Sequence, residues 1–88
     1  MNDIDEIKYI KRAAAGDADA FEQLVLLYQP QVYRLAYRMT NHPEDAADLT
    51  QEVFLKAWNN LDKFEFKSAF STWLYRLASK LCIDFLRN

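Results

Sequence analysis

One glycine, Gly16, and two prolines, Pro30 and Pro43, are the only strong backbone breakers in 88 residues. A β-rich chain needs a turn roughly every 8–12 residues, and turns draw on glycine, proline, asparagine and aspartate. Three breakers cannot supply that many turns, so the sequence predicts a few long helices. Hydrophobic residues make up 51% of the chain, enough for a packed core. A chain of this length buries roughly 60–65% of its extended surface and forms one domain at most.

Periodicity places the helices. Ile4, Ile7, Ile10 and Ala14 recur at helical spacing, with Gly16 positioned to end that helix. Asp19 and Glu22 have the spacing of a capping box ahead of the apolar run 24–28. Pro30 either kinks that helix or opens the next one, which continues through Val32, Tyr33, Ala36 and Tyr37. Asn41-His42-Pro43 reads as a loop, and a further helix runs from about Pro43 to Asn60. After an irregular stretch the last helix covers about Ser71 to Arg87. The expected fold is all-α, a compact bundle of four to five helices. The sequence ends with that last helix, as either a domain of a longer protein or a small natural domain would.

Several kinds of chemistry drop out. One cysteine and one histidine cannot make a disulfide framework or an intrachain zinc site. Cys82 falls on an apolar helix face and is expected to be inert packing, while His42 lies in a polar loop and is expected to be solvated. No glycine-rich phosphate loop or nucleophile–base pair is present, so neither catalysis nor a cofactor is expected. No apolar run approaches ~18 residues and the acidic N-terminus is unlike a signal peptide, so a cytoplasmic protein without membrane insertion is expected.

The formal net charge is −2, which in bulk argues against a nucleic-acid partner. Its distribution is uneven. Residues 44–62 carry Glu44, Asp45, Asp48, Glu52 and Asp62 against Lys56, whereas residues 63–88 carry Lys63, Lys67, Arg76, Lys80 and Arg87 against Glu65 and Asp84. The chain is electrically polar along its length.

On a helical wheel Ala46, Leu49, Val53, Ala57 and Leu61 share one side of the acidic helix, widened by Ala47, Phe54 and Trp58. The opposite face carries Glu44, Asp48, Gln51, Glu52 and Asn59, with Leu55 in its middle. Asp48, Gln51, Glu52 and Leu55 follow i, i+3, i+4, i+7 and form one patch. A leucine ringed by carboxylates and an amide suits docking of a basic helix; the alternative is an ordinary exposed leucine on a solvated face.

Phe64, Phe66, Phe70, Trp73 and Tyr75 fall among Lys63, Lys67 and Arg76. On the last helix Leu74, Ala78, Leu81, Cys82 and Phe85 form the expected inward face, and Trp73, Arg76, Lys80 and Arg87 lie near one line on the other side, with Thr72 and Ser79 beside it. Cations and hydroxyls hold phosphates, and aromatic rings hold unstacked bases. With no Asn or Gln on the stripe for bidentate readout, capture of splayed bases fits better than duplex readout. The competing reading makes these aromatics core, with Phe85 and Trp58 expected there, Phe64 and Phe70 closing the core under the loop, and Trp73 evenly balanced.

The run Asp45-Ala46-Ala47-Asp48-Leu49-Thr50-Gln51-Glu52-Val53-Phe54-Leu55-Lys56-Ala57-Trp58, followed by Phe70-Ser71-Thr72-Trp73-Leu74-Tyr75-Arg76-Leu77-Ala78, resembles region 2 of bacterial sigma factors of the extracytoplasmic-function group. The resemblance runs from about Gly16 to the end. It implies that Asp45, Asp48, Gln51, Glu52 and Leu55 dock on the clamp helices of the RNA polymerase β′ subunit. It implies also that the loop and the last helix engage the non-template strand of the promoter −10 element and melt it by capturing flipped bases. Phe64, Ser68, Ala69, Phe70 and Ser71 would wall the base pocket, with Asn60 and Leu77 nearby, and Lys63, Thr72, Trp73, Arg76 and Lys80 would face the DNA. An anti-sigma factor is a further partner the resemblance implies.

Two residues depart from the family pattern: Lys80 stands where many relatives carry Asn, and Phe66 where the loop often has Gly. A full factor also has a second helical domain that reads the −35 element. The 88 residues hold only the first domain, so this chain alone is expected not to initiate at a complete promoter. The competing functional class is a helical protein-interaction module that binds a basic helix without DNA; such a module would not need the Trp73–Arg76–Lys80 stripe.

Overall fold

The computed structural model describes residues 3–87, with side chains from residue 6 onward, so the Ile4 side chain lies outside the described residues. Among the described residues there are four α-helices: α1 (Asp3–Ala14), α2 (Ala18–Thr40), α3 (Pro43–Asn60) and α4 (Phe70–Arg87). A short 3₁₀ turn, Leu61–Lys63, and an irregular loop join α3 to α4.

Gly16 ends α1 with φ +104°, a conformation that disfavours any residue with a Cβ. The Gly16 N–H donates to the Ala13 carbonyl at 2.9 Å and the Asp17 N–H to the Arg12 carbonyl at 3.0 Å, the paired bonds of a Schellman motif. That turn delivers Asp17 in an extended conformation, where its Oδ1 accepts from the Ala20 N–H at 3.2 Å and caps α2. The expected Asp19–Glu22 capping box therefore does not form; α2 begins one residue after Asp17, and Asp19 lies in its first turn. Asp17 is held further by Arg12, whose Nη2 lies 2.7 Å from Oδ2. The Arg12 hydrogen bond, aided by the Ala20 N–H, keeps this carboxyl below the usual aspartate range.

Pro30 neither opens nor ends a helix, because α2 runs through it for 23 residues. The amide that Pro30 lacks would have bonded the carbonyl of Leu26, a residue that is 61% exposed and so lies on the solvent side of α2. At α3 the expected loop residue His42 is the cap: its Nδ1 accepts from the Asp45 N–H at 3.4 Å, and Pro43 follows as the first helical residue. The last helix starts at Phe70, one residue before its expected start.

Packing follows the apolar faces. Phe21 meets Trp58 (ring centroids 5.0 Å) and Phe54 (6.5 Å), while Ala36 clusters with Ala46, Leu49 and Cys82, so α2 and α3 run antiparallel. Tyr28 packs on Phe70 at 5.5 Å and the Tyr75 hydroxyl donates to Gln31, so contacts advance in the same direction along α2 and α4. Ile10 and Ala13 anchor α1, whereas Ile7 and Ala14 are exposed, which turns its buried face from the one expected.

Two further expectations are corrected. Ala47 is exposed, and so is Phe85, at 42%. Cys82 is the last buried residue of α4, packed where α2 ends and α3 begins; beyond it α4 has no neighbour left to cover Phe85. Trp58, by contrast, packs against the core as expected, half-buried and in contact with Phe21. Burial pushes the Cys82 thiol pKa up, in keeping with inert packing.

Candidate helix-docking and nucleic-acid interfaces

On α3 the buried residues Ala46, Leu49, Val53 and Ala57 turn Asp48, Gln51, Glu52 and Leu55 outward. Thr50 is buried within the acidic helix because its hydroxyl donates to the Ala46 carbonyl at 2.7 Å. Leu55 is 63% exposed, and among the described residues no ion pair involves Asp48 or Glu52. Asp45 is half-buried, with its backbone N–H on His42.

Leu55 is not alone. With Gln51, Phe54 and Trp58 of α3 and Phe21 and Val25 of α2 it lines an apolar depression of about 510 Å³. The wheel for α3 contains no trace of α2's share. Phe21 and Val25 stand one helical turn apart, but only the antiparallel pairing brings them beside Leu55. The surface thus combines an acidic rim with an apolar floor. Burying Leu55 there would contribute about 1.5–3 kcal/mol.

The second site is built around the loop between the 3₁₀ turn and α4. Phe64 is buried at 8% exposure and Phe70 at 3%, so both close the core under the loop. Both nevertheless line a depression of about 360 Å³, together with Phe66, Ser68, Ala69 and, from α1, Glu6, Ile7 and Ile10. The α1 wall was not legible in the sequence, because it depends on how α1 folds back over the loop. Ser71, expected in the pocket wall, does not line this depression, and neither do Asn60 and Leu77. The Asn60 side chain donates to the Lys56 carbonyl at 2.8 Å, and Leu77 packs at the core margin.

Aromatic contacts stiffen this end. Phe64 lies 4.7 Å from Phe66, 5.8 Å from Phe70 and 5.4 Å from Trp73, centroid to centroid. Trp73 is half-buried against Phe64 and Phe70. Phe66 adopts φ +62°, with the Lys11 ammonium 5.9 Å from its ring. The position where the family loop often has Gly therefore keeps a left-handed backbone while carrying a phenyl ring. Lys63 is exposed at the loop entrance, and Ser71 and Thr72 are half-buried in the first turn of α4. Beyond them, Thr72, Arg76, Lys80 and Arg87 line a long shallow depression along α4, with Arg76 and Lys80 exposed.

No three His, Cys, Asp or Glu side chains among the described residues are grouped to hold a metal ion. No helix among them is long and apolar enough to cross a membrane.

Comparison with known proteins adds an independent line. Residues 24–88 match the family Sigma-70 region 2. The chain is 45% identical over 81 residues to the ECF RNA polymerase sigma factor SigW of Bacillus subtilis (strain 168), an alignment covering 92% of this chain and 43% of that protein. It is 42% identical over 77 residues to the ECF RNA polymerase sigma-E factor of Escherichia coli (strain K12), covering 88% and 40%. The chain thus spans about two-fifths of the length of these curated relatives.

Among solved structures, an engineered region 2 of sigmaE in complex with GTAAAA superposes with a TM-score of 0.85 at 38% identity, over 98% of this chain and 90% of that one. CnrH in complex with the cytosolic domain of CnrY superposes with a TM-score of 0.84 at 32% identity, over 93% and 53%.

Proposed function

Because the chain belongs to the sigma-70 family, as a region 2 of the extracytoplasmic-function group, we propose that it serves bacterial transcription initiation by holding RNA polymerase through α3 and opening the promoter −10 element with its loop and α4. The observation that carries the reading is the solvent-open, aromatic-walled depression beside residues 64–70, set at the head of a cationic helix. Unstacking a base costs a few kcal/mol per step, and an aromatic platform returns roughly 1–3 kcal/mol per base. Capture is therefore close to balanced and favours easily unstacked pyrimidine–purine steps. Phe64, Phe66, Ser68, Ala69 and Phe70 form the base-capturing wall, with Ser71 beside it in the first turn of α4, while Lys63, Thr72, Trp73, Arg76 and Lys80 follow the strand. The similarity to a sigmaE region 2 held with GTAAAA supports this assignment.

Asp45, Asp48, Gln51, Glu52 and Leu55 supply the polymerase contact, with the β′ clamp helices as the basic partner. The apolar floor gives burial and the acidic rim gives orientation and encounter rate. An anti-sigma factor is included as a regulatory partner, supported by the similarity to CnrH, which is in complex with the cytosolic domain of CnrY. Binding and strand separation require no catalytic group.

Fluorescence anisotropy tests the DNA half. A labelled non-template strand bearing GTAAAA is expected to bind more tightly than the same sequence as a blunt duplex. Its log affinity should fall linearly with log salt at about 0.7 per phosphate engaged. Equal or salt-insensitive binding to both ligands overturns the DNA assignment.

A further inference from the structure

A cationic face continues off α4 onto the C-terminal half of α2, which the reading above leaves unused. Arg34 and Arg38 stand four residues apart on α2, both exposed, in a stretch from Gln31 to Thr40 that contains no acid. With Gln31, Leu35, Tyr75 and Ser79 they line a shallow depression of about 320 Å³. Tyr75 and Ser79 also line the depression of Thr72, Arg76, Lys80 and Arg87 on α4, so the two are continuous. The Tyr75 hydroxyl donates to Gln31 and ties the helices together. The single acid lining either depression is Asp84, beside Arg87 near the end of α4.

Among the described residues no ion pair involves Arg34, Arg38, Arg76 or Lys80, so these charges are uncommitted. A cation in the last turn of α2 suits the helix dipole and would account for Arg38 by itself, but not for Arg34 one turn earlier.

Resting on the proposed capture of a single strand at the 64–70 loop, we propose that Arg34 and Arg38 bind phosphates of the double-stranded DNA adjoining the opened segment. The face then seats a fork as well as a strand. The geometry runs as follows along α4. From Phe70 to Lys80 the helix rises about 15 Å, or about four nucleotide steps at ~3.4 Å each. A strand leaving the loop along α4 therefore reaches Arg76 and Lys80 within a few nucleotides. At that level α2 lies alongside, and the face becomes two cation rows wide. Packed helices stand about 8–10 Å apart, between the widths of the minor groove (~6 Å) and the major groove (~12 Å). One strand covers one row, whereas the two strands bordering a groove cover both.

The test compares two ligands on the intact 88-residue chain: the GTAAAA single strand, and a fork carrying that strand beside an upstream duplex. Wild type should bind the fork more tightly. Arg34→Gln with Arg38→Gln should weaken the fork alone and lower its log–log salt slope by about 1.8, two phosphates at ~0.9 each. Between 50 and 200 mM salt that difference amounts to about 12-fold in affinity. Arg34→Lys with Arg38→Lys keeps the charges and should keep the slope, which separates phosphate binding from a folding defect.

An equal loss on both ligands overturns the inference, because the arginines would then hold the single strand. No change on either ligand also overturns it. If wild type binds the fork through the arginines but not the free strand, base capture fails and this inference stands. If wild type binds neither DNA, both fail.

Discussion

At Phe66 one residue carries two opposed effects. Its φ of +62° puts a Cβ-bearing residue in the left-handed region, at a cost of roughly 1–2 kcal/mol relative to glycine. Against that, its ring packs on Phe64 at 4.7 Å and lies 5.9 Å from the Lys11 ammonium, and it remains 44% exposed beside the loop depression. Phe66→Gly removes the strain together with the ring contacts, so thermal stability should change by less than about 1 kcal/mol. Affinity for the GTAAAA strand should fall at least about fivefold, the equivalent of losing ~1 kcal/mol of stacking. Melting by circular dichroism and anisotropy titration separate these effects. A variant that binds as tightly as wild type removes Phe66 from the base-contacting wall. Lys80 acts differently: on an exposed turn it offers a point charge to phosphate and no paired donor and acceptor for a base edge.

Among the elements, α2 departs most from what its sequence suggests. Proline in a helix interior removes one hydrogen bond and crowds the preceding turn, yet the helix passes through Pro30 because both flanks are anchored. Leu24 and Tyr28 hold one side, with the Tyr28 hydroxyl donating to Glu6, and Val32 and Ala36 hold the other. Pro30→Ala restores a backbone donor to the Leu26 carbonyl at an exposed site, so it should stabilise the chain by about 1–3 kcal/mol. In a domain of this size each kcal/mol raises Tm by roughly 4–8 °C, well within the reach of a thermal melt. A fall in Tm would mean that Pro30 stiffens the unfolded chain by more than its missing hydrogen bond costs the folded one. The same helix shows where sequence reasoning stops. Breakers and 3.6-residue periodicity located α3 and the outward patch around Leu55, because those features are local to one helix. The cap at Asp17 was not legible, since Arg12 and the Gly16 turn create it jointly. Nor were the Phe21–Val25 share of the docking groove or the Glu6–Ile7–Ile10 wall of the loop depression, since each forms only when a second helix arrives. Phe85 looked buried by periodicity and is not, because burial also needs a neighbour at that height.

Over the whole molecule, a near-neutral total conceals separated charge. The net −2 combines −1 over residues 1–43, −4 over residues 44–62 and +3 over residues 63–88. The fold keeps them apart, since the Leu55 groove and the α4 depression share no lining residue. Separation lets an anionic and a cationic partner bind one small domain without competing for the same side chains. Thermodynamically, such sites should be nearly independent. Leu55→Asp places a carboxylate over the apolar groove and should abolish capture by a β′ clamp-helix fragment, while affinity for the GTAAAA strand stays within about twofold. Lys80→Gln should do the reverse, lowering strand affinity and reducing the salt slope by about 0.7 while leaving clamp capture intact. The double variant should show both losses, with a coupling energy below about 0.5 kcal/mol, as expected for distant sites without shared partners. Paired titrations of wild type, both single variants and the double variant measure that coupling directly. A coupling well above that bound would mean that the α3 and α4 surfaces communicate through the core between them, and that polymerase docking itself tunes strand capture.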